Sequence, residues 1–211
     1  MEKNFTGQQY HHQPLKVEHM AVDPHLEFAK WYDLAVDTGE IEANAMCLST
    51  VDRKLQPQAR MVLMKGFDIT GIRFFTNYQS QKARDIADNA AVAVVFCWSK
   101  LHRQVRITGI ADKLSVLESI EYFATRPRSS QINAIASPQS QEIVSRNWLL
   151  QRTKAIAEEY QDKDIHCPDY WGGYRIQIKT CEFWQGLEYR LHDRIFYFQD
   201  QGQWQKRRLS P

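Results

Sequence analysis

Residues 182–194 read EFWQGLEYRLHDR and carry three cationic or titratable side chains at two-residue spacing. In a strand over residues 189–198, Arg190, His192 and Arg194 would share one face, because successive side chains alternate between faces. Guanidinium groups bind phosphate and carboxylate in a planar, often bidentate manner, and imidazole can accept or donate a proton. The spacing indicates an anion-binding surface with a proton-transfer group. A solvated strand face is the plainer interpretation, and this segment taken alone slightly favours it.

Other cationic side chains lie at the ends of predicted elements. Arg60 and Lys65 bracket the strand pattern RMVLMK, and Lys82 follows Ser80 in the first turn of a predicted helix. The first amides of a helix are unpaired and its dipole favours negative charge, so Lys82 is poorly placed there unless an anion is bound. A phosphate is the natural candidate. A surface lysine placed by chance explains the pattern about as well.

A third group surrounds Pro127. Tyr122 and Arg126 are four residues apart on a predicted helix and so share a face, and Ser130 lies just beyond the proline. Together they offer two hydroxyls and a guanidinium to one ligand. An arginine interacting with the dipole at a helix C-terminus is the interpretation that the residues alone favour. Gln139 and Ser140 are predicted to begin the next helix and form a further candidate site for an anion or carbonyl group.

Composition and missing motifs exclude several classes of protein. Neither GxGxxG nor GxxxxGK[ST] occurs, and the four cysteines are far apart without a CxxC pair, so no Rossmann or P-loop nucleotide site and no metal site is predicted. A net charge of +2 is too small to indicate nucleic-acid binding. No secretory leader and no apolar run of the ~20 residues that span a bilayer are visible. We therefore expect a cytoplasmic protein with reduced thiols, without membrane or nucleic-acid partners.

The apolar patterns predict one mostly β domain with peripheral helices. Its 211 residues are 43% hydrophobic, which suits a packed core. Residues 1–22 lack apolar periodicity and are predicted to form a mobile arm, and residues 23–211 form the domain, with Asp23 and Pro24 beginning its first helix. Strands are predicted at 45–51, 59–65, 72–76, 91–98, 104–114, 173–178, 189–198 and 204–209, and further helices at 80–89, 116–126 and 139–160. Many short strands with few helices indicate a small barrel.

Seven segments carry a resemblance to a known family. They are RMVLMK (60–65), FFTN-x-x-S-x-K (74–82), RQV (103–105), YFATRPRSSQ (122–131), ASPQS (136–140), WGGYR (171–175) and EFWQG-x-x-x-RLHDR (182–194). In this order, from about residue 23 to the terminal RLSP, the chain resembles the pyridoxamine/pyridoxine 5′-phosphate oxidases, the FMN-dependent oxidoreductases of vitamin B6 metabolism. The last segment is the most specific.

The resemblance implies a fold, a reaction and an assembly. The fold would be an FMN-binding split β-barrel of Greek-key type, in a homodimer with two FMN sites at the subunit interface. The reaction would be the oxidation of pyridoxamine or pyridoxine 5′-phosphate by O2 to pyridoxal 5′-phosphate, with release of H2O2, and of ammonia from the amine.

The resemblance also implies roles for particular residues. The flavin would contact Arg60, Met61, Val62, Lys65, Phe75, Thr76, Gln81, Lys82, Gln104, Gln139, Ser140, Trp184 and Arg194. The substrate would contact Tyr10, Lys65, Tyr122, Arg126, Ser130, Arg190, Leu191 and His192, with Arg190 and His192 as the catalytic pair. The chain departs from the family at Gln81, where arginine is common, and at Gly7, where the N-terminal arm usually carries an arginine.

The sequence leaves three alternatives to this oxidase function. A flavoenzyme of the same fold could act on another small substrate, and a carrier could bind flavin or pyridoxal phosphate without turnover. A nucleic-acid-binding module is the most distant alternative, because the charge is small and no recognition motif is present.

Overall fold

The computed structural model describes residues 12–211. In this part of the chain the helices are α1 (Pro24–Asp37), α2 (Gln81–Asp88), α3 (Val116–Ala124), α4 (Arg128–Ala136) and α5 (Arg146–Glu159). The strands are β1 (Ala45–Val51), β2 (Pro57–Leu63), β3 (Gly66–Asp68), β4 (Gly71–Asn77), β5 (Ala91–Trp98), β6 (Arg103–Lys113), β7 (Trp171–Gln185), β8 (Asp193–Asp200) and β9 (Gln203–Leu209). No helix in residues 12–211 is long and apolar enough to cross a membrane.

The strands form one antiparallel sheet that branches at β7. Its main path runs β2-β1-β5-β6-β7-β4-β3, and β8 and β9 extend from β7. β6 pairs along nearly all of β7, whereas the other edge of β7 pairs first with β4 and then, from Thr180 onward, with β8. The curled sheet with peripheral helices confirms the predicted split-barrel fold.

The core lies inside the curled sheet, with α1 packed against it. Burial alternates residue by residue along β1, which is the pattern of a strand with one face on the core. Phe28 of α1 meets Phe67 edge-on at 5.0 Å between ring centroids and contacts Phe96 at 5.0 Å. As predicted, α1 begins at Pro24, where the Asp23 side chain accepts a hydrogen bond from the amide of His25.

Most strand predictions are confirmed to within two residues, but two near the C-terminus are wrong. β7 continues to Gln185 because a register irregularity at Lys179 changes the phase of the alternation, so that Cys181 and Phe183 are buried after it as Ile176 and Ile178 are before it. Residues 189–192 are not a strand, since β8 begins only at Asp193. Tyr189 and Arg190 have φ values of 57° and 62°, in the left-handed region that no strand uses. Arg190 and His192 therefore lie in a loop, and strand alternation does not place them beside Arg194.

The helix predictions between residues 116 and 160 also need correction. The helix predicted at 139–160 begins only at Arg146, where the Ser145 hydroxyl accepts from the amide of Trp148, and residues 139–145 form turns and bends. The helix at 116–126 ends at Ala124. α4 was not predicted, because it buries only Ile132 and Ala136 and so carries little apolar periodicity.

Residues 12–22 run along β8 and β9. The Leu15 amide donates to Asp193 Oδ2 at 2.5 Å, and the Tyr197 hydroxyl donates to the Ala21 carbonyl at 2.8 Å. The division into an arm of residues 1–22 and a domain of residues 23–211 stays a prediction. Tyr10 and Gly7, which the resemblance assigns to the arm, lie outside the described residues.

We expect the contact between α1 and the barrel to dominate the stability of this end of the domain. Phe28 is 1% exposed, so Phe28→Ala should lower the free energy of unfolding by about 3–5 kcal/mol through lost burial and a residual cavity. Leu26 on the same helix is 57% exposed, so Leu26→Ala should stay within about 0.5 kcal/mol of the parent. Urea denaturation measures both, and equal effects would contradict this packing.

Candidate active site

A cavity of about 390 Å³ opens between β2, β4, α2 and the C-terminal end of α3. Its lining includes many residues that the resemblance assigned to flavin or substrate. The residues are Arg60, Met61, Val62, Leu63, Lys65, Phe75, Thr76, Lys82, Tyr122, Arg126, Gln139 and Trp171. We call this set the cavity group. It joins the cations Arg60, Lys65 and Lys82 to the Tyr122–Arg126 pair, which lie in separate segments of the sequence.

Lys82 supplies a buried ammonium to the cavity. Its Nζ donates to Thr76 Oγ1 at 3.2 Å, to Ser80 Oγ at 3.3 Å and to Gln139 Oε1 at 3.1 Å. Burial, and then the charge of Arg60, lower the pKa of Lys82 to about 8, although Asp85 opposes the shift. Because these hydrogen-bond acceptors are neutral, an anionic ligand would compensate the buried charge.

Gln139 reaches Lys82 from the loop before α5 rather than from a helix start. Its Oε1 also accepts from the Thr76 hydroxyl at 2.9 Å, so one amide oxygen joins two cavity residues. The predicted partner Ser140 has a φ of 64° and lies outside the cavity lining. The prediction of a helix start at Gln139 and Ser140 is wrong.

Stacked aromatic rings and a guanidinium form another wall. Tyr122 stacks on Phe75 with ring centroids 3.8 Å apart, and Arg126 lies 4.6 Å above the Trp171 ring. Gly173 permits this arrangement, since a Cβ at that position would come within 2.8 Å of the Phe75 ring. Flat rings of this kind suit a planar ligand.

Arg126 has an unused hydrogen-bond donor. Its Nη1 is buried without a partner among the described residues, and burial lowers the pKa of the guanidinium. Buried donors are nearly always paired, so this orphan indicates a ligand with acceptor oxygens. Burial also raises the pKa of Tyr122, which keeps its phenol protonated and able to donate. The donor set therefore fits a phosphate ester.

Six further candidates lie on β6, near the end of β7, and between Arg190 and the start of β8. The His192 and Trp184 rings are 4.7 Å apart, and the Leu187 amide donates to His192 Nδ1 at 3.0 Å. An Nδ1 that accepts leaves the proton of a neutral imidazole on Nε2. Gln104 lies opposite Trp184 in the β6–β7 register. We call the set Gln104, Trp184, Arg190, Leu191, His192 and Arg194 the β8 group.

Arg194 makes a bidentate ion pair with Glu182. Its Nε and Nη2 donate to the two carboxylate oxygens of Glu182, each at 3.0 Å, and its Nη1 donates to the Ser210 carbonyl at 2.9 Å. This bidentate pair fixes the guanidinium plane across β7 and β8. The hydrogen bond to Ser210 connects the C-terminal residues of the chain to Arg194.

The cavity group and the β8 group lie at opposite ends of β7. Trp171 begins this strand and Trp184 nearly ends it, a contour of about 40 Å at the usual rise per residue. Within residues 12–211, none of the β8 group lines the cavity. Gln81 and Ser130 lie outside its lining as well.

Sequence reasoning missed two cavity residues, Leu63 and Trp171. Both lie in segments that carry the family resemblance, RMVLMK and WGGYR, but the resemblance assigned neither residue a role. The signal for Trp171 was the following Gly172-Gly173 pair, whose missing side chains admit Tyr78 and Phe75.

Two family models match the chain. Residues 35–159 match the model described as pyridoxamine 5′-phosphate oxidase. Residues 171–211 match the model described as the pyridoxine 5′-phosphate oxidase C-terminal dimerisation region.

Curated relatives match along most of their length. A protein named pyridoxine/pyridoxamine 5′-phosphate oxidase 2 from Hydrogenovibrio crunogenus is 48% identical over 90% of this chain and 89% of its own. A pyridoxine/pyridoxamine 5′-phosphate oxidase from Acaryochloris marina is 46% identical over 96% of this chain and 92% of its own.

Solved structures share the fold. PhzG from Burkholderia lata, crystallised with tetrahydrophenazine-1-carboxylic acid, has a TM-score of 0.88 at 24% identity and covers 92% of this chain and 95% of its own. A pyridoxamine 5′-phosphate oxidase-related, FMN-binding protein from Nostoc punctiforme has a TM-score of 0.72 at 15% identity, over 91% of this chain and all of its own.

The lowered pKa of Lys82 predicts a pH dependence of stability without ligand. The unfolded chain keeps this lysine protonated up to its ordinary pKa of 10.5, whereas the folded chain releases the proton near pH 8. The unfolded state thus binds more protons in that window, so the contribution of Lys82 to the free energy of unfolding rises with pH across it.

Chemical denaturation from pH 7 to pH 10 should show this rise in the free energy of unfolding of the parent, and Lys82→Met should lose it. Lys154→Met, at an exposed position of α5, should keep the rise. Parallel curves for the parent and Lys82→Met would contradict the assignment.

Proposed function

The chain belongs to the pyridoxamine 5′-phosphate oxidase family, and from this premise we propose how its residues carry out the oxidation of pyridoxamine and pyridoxine 5′-phosphates to pyridoxal 5′-phosphate. It is an oxidoreductase. FMN is the proposed cofactor, and O2 the proposed acceptor, with H2O2 as a product and ammonia as a second product from the amine. The observation that carries the proposal is a single cavity that combines buried cations, an unpaired guanidinium donor and stacked aromatic rings.

The cationic residues divide into two sets. Lys65, Phe75 and Tyr122 also line an adjoining cavity of about 250 Å³, whereas Arg60 and Lys82 line the first cavity and not this second one. A cofactor and a substrate that each carry a phosphate need two such sets. We assign the Arg60–Lys82 side to the flavin phosphate and the Lys65–Tyr122 side to the substrate phosphate.

On the flavin side, Arg60, Lys82, Thr76 and Gln139 would hold the phosphate. Met61, Val62, Lys65 and Phe75 would contact the rest of the cofactor, and Gln81 and Ser140 stay proposed contacts from outside the lining. When bound, FMN would supply the two-electron redox chemistry between the substrate and O2.

On the substrate side, Lys65, Tyr122 and Arg126 would bind the phosphate. The buried Nη1 of Arg126 provides a donor that needs an acceptor, and Ser130 would add a hydroxyl from the first turn of α4. Tyr10 stays a proposed contact. Holding the phosphate orients the pyridine ring and keeps water from the reacting carbon.

A second subunit would complete each site. The β8 group lies at the far end of β7 from the cavity of its own chain, and the match of residues 171–211 to a dimerisation region supports a homodimer. We propose that Gln104, Trp184 and Arg194 of one subunit face the flavin bound by the other. Arg190, Leu191 and His192 would then lie against the substrate ring. His192 Nε2 is the atom placed to hold or move a proton at the substrate amine or hydroxyl.

We also propose a cytoplasmic location. The supporting observation is that Cys47, Cys97, Cys167 and Cys181 are all free thiols, as expected in a reducing compartment.

The phosphate assignment predicts substrate selectivity. Arg126→Gln should raise the KM for pyridoxine 5′-phosphate by about 10- to 100-fold, the size of a lost hydrogen bond to a charged group, while FMN binding stays intact. The parent should oxidise unphosphorylated pyridoxine poorly. Lys154→Gln, at an exposed position of α5, is the matched control. An unchanged KM in Arg126→Gln would refute the assignment, and a parent that binds flavin without forming peroxide would refute the oxidase activity.

The shared site predicts complementation between two defective subunits. His192→Asn should lower kcat by about 10²-fold, as expected for a lost proton-transfer group, and Arg126→Gln should be poorly active at low substrate concentration. Co-expressed in equal amounts, the two variants should recover about a quarter of the wild-type activity, because half of the dimers are mixed and each then holds one intact site. Tagged purification of the mixed dimer and steady-state assays test this. Activity no higher than that of the single variants would show that one chain supplies the whole site.

A further inference from the structure

Asp85 of α2 is a buried carboxylate beside a site for anions. It is 1% exposed and lies three residues after Lys82, on the same face of the helix. Burying a carboxylate is unfavourable unless partners compensate it, and a negative charge here would repel a phosphate. The contacts of Asp85 show what this charge does instead.

Asp85 holds Arg60 in two ways. Asp85 Oδ2 lies 3.6 Å from Arg60 Nη2, and it accepts a hydrogen bond from the Thr50 hydroxyl at 2.6 Å. The same hydroxyl accepts from Arg60 Nη1 at 2.6 Å. A single hydroxyl thus relays the carboxylate to the guanidinium, across α2, β1 and β2.

The other oxygen of Asp85 holds Gln81. Asp85 Oδ1 accepts from Gln81 Nε2 at 2.7 Å, one turn earlier on α2. Both carboxylate oxygens are therefore used, Oδ1 by Gln81 and Oδ2 by Thr50 and Arg60, and Gln81 and Arg60 are side chains assigned to the cofactor. A carboxylate that served only α2 itself would not contact side chains of β1 and β2 as well.

We propose that Asp85 is a positioning residue, which fixes the Arg60 guanidinium and the Gln81 amide for the phosphate of the flavin. The inference rests on the proposed function, because it takes that phosphate as the ligand of this side of the cavity. Arg60 also donates to the Leu48 and Gln58 carbonyls at 3.3 Å, so its side chain is held from both sides before any ligand binds. Preorganised donors lose little conformational entropy on binding.

Asp85 also supports the charge on Lys82. Arg60 on β2 lowers the pKa of Lys82 and Asp85 raises it, while Thr76, Ser80 and Gln139 meet the ammonium as neutral groups. Removing the carboxylate charge would leave Arg60 unopposed and so lower the pKa of Lys82 further. The ammonium would then lose its proton closer to neutral pH, and with it part of the attraction for a phosphate.

Asp85→Asn tests the proposal, since it removes the charge at nearly constant shape. Titration of the FMN-free protein with FMN, followed by flavin fluorescence from pH 6 to pH 9, measures the Kd. We expect the Kd at pH 7 to rise about tenfold, the effect of a misplaced charged hydrogen-bond partner. Binding should also weaken with rising pH from a lower pH than in the parent. Asp88→Asn is the matched control, because Asp88 lies on the same helix but pairs with exposed Arg53 at 2.6 Å; its Kd should equal that of the parent.

A second variant separates positioning from a general loss of folding. Thr50→Val cuts the relay but keeps the carboxylate charge, so it should raise the Kd for FMN while leaving the pH dependence as in the parent. The melting temperature of each FMN-free protein shows whether it is folded. If Asp85→Asn does not fold, the Kd of Thr50→Val for FMN tests the proposal instead. An Asp85→Asn protein that binds FMN as tightly as the parent, or more tightly as relief of repulsion would predict, overturns the proposal. A parent that binds no FMN would instead refute the proposed function itself.

Discussion

The candidate site depends on positive charge that is buried before any ligand arrives. Lys82 and Arg126 lie in the wall of one cavity, where burial lowers the pKa of each. Neutral oxygen atoms surround the first, and the second keeps an unpaired N–H group. Burying these cations costs solvation free energy, and a bound anion would compensate that cost. Ligand binding and the stability of the fold are therefore coupled at the same side chains.

The barrel makes this arrangement possible by holding the charges apart. Arg60 is fixed on β2 by Thr50 of β1, and Lys82 is fixed on α2 by Thr76 of β4. Each contact joins different elements, so moving either cation toward solvent would break a hydrogen bond between them. The core aromatic contacts of α1 with β3 and β5 stabilise the same frame. A rigid frame holds basic residues from separate segments in the positions that a binding site needs.

β7 decides how the site is divided. It pairs with β4 at its start, where Trp171 lines the cavity, and with β8 at its end, where Trp184 meets His192. A strand this long separates the two groups of residues that the proposed reaction would use. The proposed site therefore takes residues from two subunits, because a copy related by two-fold symmetry can bring the end of one β7 to the cavity of the other.

The sequence by itself determined the fold class, the start of α1 at Asp23-Pro24, the bounds of β5 and, through its motifs, the family. These features are local: capping, alternation of apolar residues and short ordered segments leave their mark within a few positions. It could not determine that residues 189–192 leave the strand pattern, that α4 exists, or that Asp85 and Thr50 lie behind Arg60. Those outcomes depend on contacts between distant segments, such as the hydrogen bond from the Gly186 amide, just after β7, to the His102 carbonyl. Only the tertiary structure decided which cations share a cavity, because nearness in space there comes from the closure of the sheet and not from spacing along the chain.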